Sequence, residues 1–330
     1  MHRLKSALCA LLLLAQPLAA QCVGENLIAA LPAAEQDALR AAAESVPHAN
    51  GNFWRAKRGD EVITLIGTYH FDDPRHAASL AALQPVLKSA KTLLVEAGPA
   101  EEAAIKARLA AEPTLMIDSS GPTLPELLGP QDWALLSEAL RARGIPPFMA
   151  AKFRPWYISV VLAVPPCDMA RAENAKGLDK LLIEDATRDA VPIQALEPYD
   201  TVFQIFDQMS KADQMSMVTS ALATESRSAD FAITLADSYF AEEGRLIWEF
   251  MRYETLQLPG YTVERTNAEL ATMEQAMMIN RNRKWIPVIE AAAMRGPVLV
   301  AFGALHLSGD AGVLSLLERE GFTVERLPLQ

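Results

Sequence analysis

The chain is poor in basic charge, aromatics and cysteine. Thirty Lys and Arg stand against 41 Asp and Glu in 330 residues, for a net charge of −11. Nucleic acid is excluded as a partner, because binding it needs a basic face. No H-E-x-x-H, G-x-S-x-G, G-x-x-x-x-G-K-[ST], C-x-x-C or G-x-G-x-x-G segment occurs. These absences remove the zincin, serine-elbow, P-loop and dinucleotide fingerprints. Beyond the N-terminus no apolar run approaches the ~20 residues of a spanning helix. The strongest, residues 156–164, stops at Pro165 and Pro166. At 51% hydrophobic and 22% charged, a mainly disordered chain is excluded too.

Residues 1–20 carry a basic start (Arg3, Lys5), an apolar stretch and small residues at Ala19 and Ala20. This pattern predicts a secretory signal peptide and a periplasmic or secreted protein without stable membrane insertion after cleavage. A lipoprotein would carry a small residue before its cysteine, and Gln21 precedes Cys22. Cleavage removes Cys9 and leaves Cys22 and Cys167. In an oxidising compartment the preferred reading is a disulfide between them, the alternative two buried thiols.

Residues 21–330 are expected to form one α/β domain. Residues 61–67 and 92–96 are apolar, β-branched runs flanking a helical pattern opened at Asp73 and Pro74, which predicts a βαβ unit with parallel strands. Residues 297–303, 311–320 and 322–327 repeat strand, helix and strand. Between these halves lies a large, mostly helical insertion, interrupted by a strand candidate at 191–196 whose Pro192 suits a start or an edge. The expected fold is a mixed, mostly parallel sheet built from two βαβ-like halves, with helices on both faces.

Four histidines remain after signal removal, and two share a context: Gly67-Thr68-Tyr69-His70 and Gly303-Ala304-Leu305-His306 each follow a strand run. Loops at the carboxyl ends of parallel strands converge on the ligand crevice of open α/β sheets. Glu96 ends a third run and is expected at the same rim. There it either joins the histidines as a metal ligand or merely pairs with an arginine or caps a helix. His48 is placed in a loop and His76 on a solvated helix start, neither as a ligand. On a helix, Met278, Asn282, Trp285 and Ile289 fall on one stripe, as do Met277, Arg281, Trp285 and Val288. The polar members need partners, whether site carboxylates, substrate oxygens or backbone carbonyls. Glu197 follows the edge-strand candidate and either lines the rim or opens the next helix.

At these residues the chain resembles the TraB/GumN family, which includes the Tiki proteins. The resemblance is carried by the two G-x-x-H segments, Leu94-Val95-Glu96, Gly177-Leu178-Asp179, Leu196-Glu197, Arg281-Asn282 with Trp285, and the C-terminal end. It implies a fold shared with erythromycin-esterase-like and haem-binding ChaN-like proteins. It further implies metal-dependent proteolysis, with His70, His306 and Glu96 holding a divalent ion (Mn, Co or Zn). Arg281, Asn282 and Glu197 would line the catalytic site. The expected function is an exported, metal-dependent, peptidase-like hydrolase acting on a peptide or protein substrate. The alternatives are a non-catalytic binding module for peptide, metal or haem, or an accessory role in polysaccharide production.

Overall fold

The apolar runs become strands because each is short, aliphatic and closed by glycine, proline or a polar residue. The computed structural model describes residues 22–169 and 175–329, so the proposed signal segment lies outside the described residues. The strands are β1 (Phe53–Arg58), β2 (Glu61–Thr68), β3 (Thr92–Val95), β4 (Ile193–Ala195), β5 (Val298–Gly303) and β6 (Thr323–Arg326). They form one mixed sheet in the order β4-β3-β5-β2-β1-β6. β4, β3, β5 and β2 run parallel to one another, while β1 is antiparallel to both β2 and β6. β4 is an edge strand, as Pro192 suggested.

Alternate residues of β2 serve opposite cores. Ile63 and Leu65 pack with Trp285, Ile289, Leu314 and Leu317 of the helices Asn280–Ala293 and Val313–Arg319. Ile66 packs on the other face with Leu83, Leu87, Leu178 and Leu182 of the helices His76–Ser89 and Leu178–Arg188. A sheet covered on both faces has its free edge of side chains only at the strand ends. β5 lies between β2 and β3, so all three carboxyl ends open on one rim.

Helices make up 61% of the structure. Those at Leu124–Ala142, Pro155–Leu162 and Lys211–Thr224 have their own apolar cluster, including Leu136, Ile158 and Val218. Cys22 is disulfide-bonded to Cys167, 145 residues away, which fixes the N-terminal segment to this lobe. Among the described residues no helix is long and apolar enough to cross a membrane.

Two local readings need correction. β1 was not anticipated: its Lys57 and Arg58 blur the alternation, although the glycine of the two-residue turn, Gly59 (φ 57°), is a hairpin signal. His76 is not solvated but 1% exposed, packed against Phe240 at 5.2 Å and bonded through Nε2 to Phe71 O at 2.9 Å. Its helix begins beneath an aromatic cluster rather than at the surface.

Candidate functional site

The two G-x-x-H turns meet because β2 and β5 are adjacent and parallel, with Gly67 opposite Phe302 and Thr68 opposite Gly303. The β2 turn carries His70 outward, and the short 3₁₀ turn Ala304–His306 folds His306 inward. Gly303 sits between them. A β-carbon there would lie 3.1 Å from His70 Nε2, 3.5 Å from Glu96 Oε1 and 3.7 Å from His306 Cδ2. Three candidate residues from three different strand ends thus surround one bare α-carbon.

Glu96 is anchored from two sides. Its Oε1 accepts from the Gly303 N–H at 2.7 Å, and its Oε2 from Arg281 Nη2 at 2.5 Å. Burial alone raises a carboxyl pKa; here Arg281, the neighbouring histidines and the Gly303 N–H outweigh it and hold Glu96 at about 2. Arg281 also bonds Glu197 through Nε and Nη2 (2.9 and 2.7 Å), Met277 O at 3.1 Å and His306 Nε2 at 3.3 Å. A guanidinium has five N–H donors, and these contacts occupy all of them. The carbonyl of Met277 belongs to the π-helical turn Gln275–Ile279, which joins the helix Val263–Glu274 to Asn280–Ala293. Such wide turns recur at functional sites.

Glu197 additionally accepts from Trp285 Nε1 at 3.0 Å. The Trp285 ring stands 4.5 Å from the His306 ring. Asn282, 2% exposed, donates from Nδ2 to Ala311 O at 2.9 Å, which identifies its Oδ1 as the acceptor facing His306 Nδ1 at 2.6 Å. His306 therefore carries its hydrogen on Nδ1 and presents an Nε2 lone pair to Arg281. Burial, with the positive charges of Arg281 and His70 and against the pull of Glu96, lowers its pKa to about 3. It is a neutral, fixed imidazole.

His70 differs in kind. Its side chain is 54% exposed, the most accessible of the group, and its Nδ1 meets Asp179 Oδ1 at 3.3 Å. Desolvation in the concave rim lowers its pKa, but the Asp179 bond and the charges of Glu96 and Asp179 prevail and raise it to about 9. It is an imidazolium at neutral pH. Gly177 makes this contact possible: a β-carbon there would lie 2.5 Å from the His70 backbone, and Leu178 N–H donates to Tyr69 O at 3.1 Å.

The structure thus brings all six sequence-read residues together but sorts them by task. Arg281 and Glu197 pair buried charges and Asn282 fixes the His306 ring, whereas His70 is the most exposed of the six. Asp179 was visible only as part of a family-like segment; its role needed the fold, because His70 lies 109 positions away.

Among the described residues no group of three His, Cys, Asp or Glu side chains is arranged to hold an ion. Arg281 fills the space between Glu96, Glu197 and His306 and already engages Glu96 Oε2 and His306 Nε2. As they stand, the side chains do not fit a metal.

Residues 52–326 match the TraB/PrgY/gumN family, and the chain belongs to it. No curated protein matches the chain significantly.

Proposed function

We propose, with that family membership as the premise, that the protein is an exported hydrolase of acyl bonds, peptide-like in substrate, working by acid–base chemistry at the His70–Glu96 rim. The single observation that carries this reading is the convergence of His70 Nε2 and Glu96 Oε1 on Gly303, where the surroundings raise the histidine pKa and lower that of the carboxyl. Paired titratable groups whose surroundings drive their pKa values apart suit opposite proton roles. Glu96 takes a proton from water as its oxygen bonds to the carbonyl carbon. His70 gives a proton to the leaving nitrogen as the C–N bond breaks, and Glu96 then returns a proton to His70. The Gly303 N–H and Arg281 keep Glu96 ionised, and Asp179 keeps His70 charged and aimed.

The metal-dependent form is the second proposal, with His70, His306 and Glu96 as ligands of Zn, Mn or Co. Its support is the shared location of those three residues and the Asn282 bond that orients His306 as such ligands are oriented. It requires Arg281 to withdraw and His70 to lose its proton. Shared ancestry with erythromycin-esterase-like and ChaN-like two-half folds belongs to the same proposal, as does export through residues 1–20. A non-catalytic binding role or a part in polysaccharide production has no observation of its own in the site.

The test is hydrolysis of a peptide library by the purified protein, with chelator or with each ion added. Acid–base hydrolysis survives chelation and is lost in His70→Asn and Glu96→Gln. Activity that appears only with added metal replaces the first reading by the second. No hydrolysis under any condition contradicts both.

A further inference from the structure

The helical lobe carries a half-open cavity of about 460 Å³ that the chemistry above does not use. That volume lies in the ordinary range of small-ligand sites, roughly 300–1,000 Å³. Its apolar wall includes Leu162, Leu235, Leu258, Leu270, Met217 and Met251. Tyr69 and Phe71, on either side of His70 in sequence, also form part of this wall. A second cleft of about 520 Å³, lined in part by Arg281, shares Met209, Asp213 and Thr272 with it. The two clefts therefore adjoin.

Most of the polar residues in this wall already have partners within the protein. Ser159, Thr224, Thr255 and Thr272 each return their hydroxyl hydrogen to a carbonyl four residues earlier in their own helix. Ser216 and Ser220 both bond the Tyr261 hydroxyl. Glu225, Glu254 and Glu269 are each paired with an arginine: Arg143, Arg227 and Arg265. A wall whose polar groups are largely satisfied gains most from an apolar occupant. Among the described residues no Lys, Arg or His lines the cavity, while carboxylates do. The described wall therefore favours a neutral or cationic group over an anionic one.

We propose that this cavity holds the aliphatic tail of a neutral or cationic amphiphile. Occupancy of the cavity does not rest on the hydrolytic reading. The thioethers of Met217 and Met251 suit a flexible chain, since unbranched side chains repack around varied apolar shapes.

The experiment is displacement of Nile red from the purified protein by monodecanoylglycerol, decyltrimethylammonium and decanoate, all below their micellar concentrations. The expected order places the neutral and cationic probes at least tenfold tighter than decanoate. Ala232→Phe and Leu235→Trp, which fill the cavity from its wall, should each weaken the neutral probe about tenfold while circular dichroism and melting stay native. The proposal is overturned if Nile red does not bind, if decanoate binds best, if both natively folded filling variants bind as the wild type does, or if a blocked apolar pentapeptide displaces the dye better than every amphiphile. Because binding is read without turnover, a protein that binds these probes but hydrolyses nothing keeps this inference and removes the hydrolytic one.

Discussion

His70 Nε2 lies 3.1 Å from the point where Gly303 would carry a β-carbon, although 233 positions of sequence separate the two residues. The second G-x-x-H glycine is thus a gap in the site floor. Its φ of −51° suits any residue, so the need for glycine is spatial rather than conformational. Gly303→Ala should therefore keep the fold, losing no more than about 1–3 kcal/mol from local overpacking. Turnover should fall by two orders of magnitude or more, because the methyl group stands between His70 and Glu96. Equilibrium unfolding beside library hydrolysis checks both halves.

Arg281 is the counter-charge for two carboxylates at once. Arg281→Met leaves Glu96 and Glu197 without it, a change that typically costs ~3–5 kcal/mol. Arg281→Lys should recover little, since a point charge cannot bridge both groups as a guanidinium does. The pH sign follows from Glu96. Its pKa is depressed, so its contribution is complete above its unfolded value near 4.5 and is lost as pH falls toward about 2. In Arg281→Met the acid-unfolding midpoint should move up toward 4.5. An unchanged midpoint would show that the guanidinium does not hold the carboxylate.

Asp179 acts through His70. Asp179→Asn removes the bond that most strongly raises the imidazole, so the His70 pKa should fall from about 9 toward its ordinary 6.5. With His70 as proton donor, activity is lost as pH rises through that value. The alkaline limb of kcat/KM should shift downward in the variant with kcat at pH 6 largely retained. A merely structural aspartate would lower activity at every pH alike.

The Cys22–Cys167 bond closes a loop of 145 residues. Replacing both cysteines by serine should cost about 2–5 kcal/mol, the usual range for a native disulfide. The melting temperature should fall accordingly, while the His70–Glu96 rim, which neither cysteine touches, keeps its titration behaviour.

Much of this was legible in the sequence because it depends on local pattern. The runs that became β2, β3 and β5 are buried on both faces, so continuous apolar residues marked them, and Pro192 marked β4 as peripheral. The Asn282–Trp285–Ile289 stripe was read from helical spacing alone, and all three are buried. Glu96 was left between metal ligand and arginine partner, and the arginine pairing is what the fold shows, with Arg281 bonded to its Oε2. What remained hidden depends on contacts between distant segments. His76 looked solvent-facing at a helix start until Tyr239 and Phe240 covered it. Asp179 and the five-fold engagement of Arg281 follow from how separate helices dock on the sheet, which no spacing rule encodes.

The proton inventory of the rim can be measured directly, without a substrate. Imidazole NMR of the metal-free protein, assigned with His70→Asn and His306→Asn, should show His70 titrating near 9 and His306 remaining neutral down to about pH 4. Both rings titrating together near 6.5 would contradict the account, because neither Asp179 nor Arg281 would then be setting their charge.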